Sequence, residues 1–160
     1  MGGARQTEVL SDEFKDFLES GVSISIATRN ADLLPEGTRV WAAKVDDDRV
    51  HVTAYLTAKS AGPILRNLEA NKQIAICFDR PSDSKACQLK GLFVDSRRCR
   101  PAERAEIERQ FDGFLADLMI IGVPREVLSG WVRWPAVAVR FKVTDIFKQT
   151  PGPGAGERMS

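Results

Sequence analysis

Six stretches of this chain alternate apolar and polar residues with a period of two, and that repetition restricts it to a fold built on a β-sheet. The clearest is "RVHVTAYL", in which Val50, Val52, Ala54 and Leu56 fall on one face and Arg49, His51, Thr53 and Tyr55 on the other. Ile24 and Ile26 alternate with Ser23 and Ser25, and residues 38–45, 73–79, 87–95 and 136–147 supply the remaining strands. Most connections between them are short, which predicts antiparallel pairing and a sheet closed into a barrel.

Helical patterns interrupt the strands. Ser11 is placed to cap a short helix carrying Phe14, Phe17 and Leu18, with Gly21 to end it. Residues 62–71 predict a second short helix, with Pro63 confined to its first turn. Pro101 opens a long amphipathic helix bearing Ile107, Phe111, Phe114, Leu115 and Leu118, and a helical turn is expected near residues 125–129. The sequence divides into a flexible N-terminus over residues 1–8, one domain over 9–148 and a Pro/Gly-rich tail over 149–160. Prolines and glycines in "QTPGPGAGERMS" argue against regular structure there.

Composition excludes several classes. With 160 residues, 43% of them hydrophobic, the chain has enough apolar material for one core without metals or disulfides. Its 23 basic and 22 acidic side chains leave a formal charge of +1, so no global field draws it to nucleic acid or an anionic membrane. Cys77, Cys87 and Cys99 form no C-x-x-C pair and read as reduced thiols. With no signal-type apolar segment and no run of membrane-spanning length, a cytoplasmic protein is expected.

The chemistry candidates are cationic. Arg39 and Lys44 bracket Val40, Trp41, Ala42 and Ala43. On one extended strand they stand about 16 Å apart and, being an odd number of residues apart, face opposite sides. An elongated ligand with an anionic end suits that spacing. Farther on, "TAKSAG" puts the hydroxyls of Thr57 and Ser60 together with Lys59 at a helix start, where free N–H groups and the helix dipole favour phosphate. The alternative reading of these charges is a solvated strand end and an ordinary cap. His51 lies on the polar side of its strand, the usual place of a surface histidine without a ligand.

The succession "RVWAAK", acidic turn, "YLTAKS", "ILRNLEAN", "KQIAICF" and "QLKG" resembles the FMN-binding split barrel of the pyridoxamine 5'-phosphate oxidase family. The resemblance implies an antiparallel split β-barrel with flanking α-helices, working as a homodimer with FMN held between subunits. It also implies that the segment Arg39, Val40, Trp41, Ala42 and Lys44 contacts the flavin, Arg39 at its phosphate and Lys44 near the ring. Thr57, Lys59 and Ser60 would then cradle the phosphate, and Gln88 would hydrogen-bond the isoalloxazine, with Ala86 there in the alternative register. Trp134 corresponds to an aromatic contributed by the partner. The apolar "LMIIG" end of the long helix is a surface such a partner would cover.

The R-x-H segment that grips substrate in the vitamin B6 oxidases is missing, since Phe147 runs straight into "KQTPGPGAG". The expectation is therefore an FMN-dependent oxidoreductase acting on a small molecule other than a B6 vitamer, with NADH or NADPH as a candidate electron donor. Two other classes stay open: a haem-binding barrel of the same fold, and a flavin carrier without turnover. A deazaflavin would suit the same cations.

Overall fold

A computed structural model of the chain describes residues 9–159. The expected flexible N-terminus, residues 1–8, lies outside the described residues. In chain order the elements are α1 (Asp12–Leu18), β1 (Ser23–Arg29), β2 (Pro35–Val40), β3 (Ala42–Val45), β4 (His51–Thr57), α2 (Ala58–Asn71), β5 (Gln73–Arg80), β6 (Lys85–Arg98), α3 (Arg104–Ile120), β7 (Ala136–Lys148) and β8 (Arg158–Met159). Short 3-10 turns occupy Pro101–Glu103 and Arg125–Leu128.

All strand pairs are antiparallel, and the order is β2-β1-β5-β6-β7-β4-β3, with β8 added on β7. Sequence alternation predicts one strand over residues 38–45; the structure instead splits this stretch at Trp41. Its first half, begun three residues earlier at Pro35, pairs with β1, and its second half pairs with β4. Because β2 and β3 stand at the two ends of the strand order and are continuous in the chain, this bend closes the sheet. The result is a split barrel with flanking helices.

Inward-facing Ile24, Ile26, Val52, Phe78, Leu89 and Phe141 fill the barrel, each with about 1% of its surface exposed or less. Each such side chain contributes roughly 1.5–3 kcal/mol by burial. A second apolar layer lies outside, where Trp41, Ala42, Tyr55 and Ala138 meet Ile107, Phe111, Phe114 and Leu115 of α3. That layer explains why Tyr55, expected outside, is 3% exposed; Thr53, also expected outside, is 9% exposed between its cross-strand neighbours Lys44 and Arg140. Gly21 permits the docking of α3, because a Cβ there would stand 2.5 Å from the carbonyl oxygen of Gln110.

Two other expectations change. Helix α2 begins at Ala58, so Pro63 lies inside it and leaves the carbonyl of Lys59 without its i+4 donor. The C-terminal tail folds back, with the N–H of Lys148 donating to Glu157 O and that of Gly156 to Lys148 O, which lets Arg158–Met159 pair with β7. Glycines at positive φ, among them Gly152 and Gly154, make that reversal. None of the described helices is long and apolar enough to cross a membrane.

Candidate functional site

Lys44 and Thr53 pair across β3 and β4, with Ala42 and Tyr55 paired two residues farther along the ladder. Lys44, Thr53 and Tyr55 line a groove of about 460 Å³, walled on the other side by Arg97 at the end of β6 and by Arg100, Glu103 and Glu106 leading into α3. That volume lies within the roughly 300–1,000 Å³ usual for small-molecule sites.

Charge in the groove is unevenly compensated. Glu103 receives two hydrogen bonds from the Arg97 guanidinium, at 2.8 and 2.6 Å, and one from the N–H of Arg100 at 2.7 Å. The Arg97 bonds are the main reason its carboxyl is held down to about 2. Glu106 accepts from Arg109 at 2.9 and 2.7 Å, which holds it below its usual range, with further lowering from Gln110 and Lys44. Asp46 accepts from Arg140 Nε at 2.8 Å. Each wall carboxylate thus has an arginine of its own.

Lys44 forms no ion pair among the described residues, and the Arg100 guanidinium, 74% exposed, lies 3.8 Å from Glu103. The groove is left with positive character. Burial pushes the Tyr55 phenol up to about 12, so it is a neutral donor at physiological pH.

The other sequence candidates are distributed around this groove rather than gathered in it. Arg39 is half-buried on β2, its guanidinium between the rings of Phe114 and Trp131 and donating to Ser23 Oγ at 3.1 Å. Burial lowers its pKa, and the nearby Asp79 partly offsets this. The bend at Trp41 therefore sends Arg39 and Lys44 to different surroundings. Val40 points into the barrel, 2% exposed, and Ala42 is covered by α3.

Thr57 stands at the N-cap of α2 without a side-chain cap bond, and Lys59 and Ser60 occupy that helix's first turn. The Ser60 hydroxyl donates to Thr57 O at 3.4 Å. Thr57 Oγ1 and Trp41 Nε1 are buried and have no hydrogen-bond partner among the described residues. Trp134 lies against the same helix start, since Pro135 O accepts from the N–H of Ala58, and Arg104 stacks on its ring.

Gln88, on β6, stands off the groove with Nε2 3.4 Å from Cys77 Sγ. In the alternative register, Ala86 is tied to Thr150 through its N–H. His51 is engaged by Asp48, Nδ1 to carboxylate at 2.6 Å.

Sequence reasoning missed the far wall, Arg97, Arg100, Glu103 and Glu106. The run "SRRCRPAERAE" was its available signal, basic and acidic residues crowded around a helix start. It also missed Gln110, whose side chain accepts from the N–H of Ala43 at 3.0 Å and donates to its carbonyl at 2.7 Å, completing the edge of β3.

No protein-family model matches the sequence, and no curated protein does. Solved structures match the fold. An F420 reductase superposes with a TM-score of 0.58 at 19% identity, over 88% of this chain and 100% of that one. A provisionally assigned pyridoxamine 5'-phosphate oxidase from Lactobacillus delbrueckii gives 0.52 at 16%, over 87% and 93%. An FMN-binding protein from Syntrophomonas wolfei gives 0.53 at 9%, over 83% and 81%. At these identities the likeness carries the architecture alone.

Proposed function

We propose that this split barrel binds a flavin, FMN in the first instance, with the ring system in the groove at Lys44, Thr53 and Tyr55. The observation that carries the reading is the compensation of every wall carboxylate by its own arginine, which leaves Lys44 and Arg100 to face an anionic ligand. That two proteins of the same architecture are named for F420 and FMN supports the class of cofactor. A bound flavin would supply the hydride or electron transfer.

The protein's part is binding and electrostatics. Lys44 would stabilise negative charge on a bound flavin ring, and the neutral Tyr55 phenol would offer it a hydrogen bond. Its phosphate would lie toward the first turn of α2, where Thr57, Lys59 and Ser60 stand beside N–H groups with no intrahelical acceptor. Arg39 adds its charge to that end. Gln88 and Trp134 would reach the ring from a second copy of the chain, and exposed Met119, Ile120 and Ile121 at the end of α3 offer apolar surface for a homodimer. We read the protein as an oxidoreductase on a small molecule, with NADH or NADPH as candidate donor.

Titrating FMN, riboflavin, FAD and haemin into the protein and its variants tests this reading. Lys44→Ala should weaken FMN and riboflavin alike, whereas Lys59→Ala and Arg39→Ala should weaken FMN alone, by about 1–3 kcal/mol. A protein that takes up no flavin, or a Lys44→Ala variant with unchanged flavin affinity, would refute it. Oxidation of NADH or NADPH under air separates an enzyme from a carrier, and sedimentation velocity tests the dimer.

A further inference from the structure

A second cavity, sharing no residue with the groove, lies between α1, the start of β6, the end of β7 and the folded tail. Its volume is about 260 Å³. Phe14, Phe17, Cys87 and Met159 make an apolar floor, and Lys85 and Lys148 stand among the polar residues around it. An apolar cavity of roughly 150 Å³ accommodates benzene, so this one has room for a single ring and a short side chain.

The cavity is a built feature rather than a gap beside a loose end. Pairing of Ile146 with Met159 brings the Met159 side chain against the barrel core. Thr150 Oγ1 accepts from the N–H of Ala86 at 3.0 Å and lies 3.2 Å from its carbonyl, which fixes the tail to the first residues of β6.

The rim carries two ammonium groups, of Lys85 and Lys148, against one carboxylate, that of Glu13. The Lys85 ammonium has a single carboxylate partner, Glu13 at 3.5 Å, whose side chain is 85% exposed, and it also lies 5.1 Å from the centre of the Phe17 ring. Lys148 donates to Pro153 O at 3.2 Å and forms no ion pair among the described residues. On the floor, burial pushes the Cys87 thiol up to about 12, so it adds no negative charge. Two ammonium groups beside an apolar recess of one-ring size match a ligand with an apolar ring and one anionic group.

We propose that this cavity is a binding site for a small aromatic monocarboxylate, its ring on Phe14, Phe17 and Met159 and its carboxylate between Lys85 and Lys148. The site is independent of flavin binding.

Phenylacetate and its neutral isostere phenylacetamide are the probes, read by the methyl signals of ¹³C-methyl methionine in the full chain. Met159 lines the cavity and Met119 lies on exposed surface at the end of α3, which makes it the internal control. Phenylacetate should move the Met159 signal saturably, with a dissociation constant of roughly 1 mM or below, and leave Met119 in place. Phenylacetamide should bind at least roughly tenfold more weakly, as should phenylacetate to the Lys85→Ala/Lys148→Ala variant. The acid and amide comparison uses the unaltered protein, so it stands even if the double variant does not fold. An immobile Met159 signal at about 10 mM phenylacetate, or an acid preference short of that margin, overturns the proposal.

Discussion

The guanidinium of Arg39 stands 5.3 Å from the centre of the Trp131 ring, with Phe114 at 5.4 Å. A strand of the barrel, the long helix and the loop that follows it are thus joined through one cation. Because burial already disfavours the charged form, the two rings and Ser23 Oγ supply the compensation. Arg39→Ala should therefore lower stability by about 1–2 kcal/mol in urea unfolding without any flavin present. Arg39→Lys should restore less than half of that, since an ammonium lacks the planar face that lies against both rings. A lysine variant as stable as the parent would show that charge alone matters.

Acid sensitivity should trace to Glu103. Its carboxyl is held down to about 2, from an ordinary value of 4.5, chiefly by the Arg97 hydrogen bonds. A depressed folded-state value means that the stabilisation is fully present above about pH 4.5 and is lost as pH falls toward 2. Glu103→Gln should flatten the stability profile between those limits and leave less stability at neutral pH. Urea midpoints measured from pH 2 to 7 check this, and parallel profiles for the two proteins would contradict it.

Much of the barrel was legible because its strands alternate cleanly, as in the buried set Val52, Ala54 and Leu56 of β4. The break at Trp41 was not, since residues 38–45 carry no Gly or Pro and read as one run; the bend is imposed by pairing with β1 and β4, which no local pattern encodes. Tyr55 read as exposed for a similar reason: α3, folded from residues some fifty positions away, covers it. For the site, Lys44 was found from its neighbours in sequence, and its neighbours across the groove were not. Arg97, Arg100 and Glu103 meet Lys44 only through the fold.

The tail also has a measurable role. Arg158 and Met159 pair with Phe147 and Ile146, and Met159 packs on the barrel core. Truncation of residues 151–160 removes that apolar contact and the Glu157 O to Lys148 N–H bond. The expected loss is about 1–3 kcal/mol, seen as a lower urea midpoint with secondary structure retained by circular dichroism. An unchanged midpoint would mean that the pairing contributes nothing to the folded state.

Gln110 offers the sharpest stability test. Its amide is 1% exposed and serves both backbone groups of Ala43, while the same nitrogen donates to Glu106 at 2.8 Å. Gln110→Ala would strand a buried N–H and a buried carbonyl on β3, at about 1–3 kcal/mol each where water cannot reach them. The expected cost is roughly 2–4 kcal/mol, more than truncation of a partly exposed apolar residue of α3 such as Leu118. Gln110→Glu keeps the shape but loses the donor and brings a second carboxylate beside Glu106, so it should be destabilised at pH 7 and partly recover as pH is lowered and the new carboxyl takes a proton. Because the bonds fix β3, both variants should also raise the hydrogen-exchange rate of the Ala43 amide, which reports the strand bearing Lys44. Exchange rates unchanged in both would show that β3 holds its place without the glutamine.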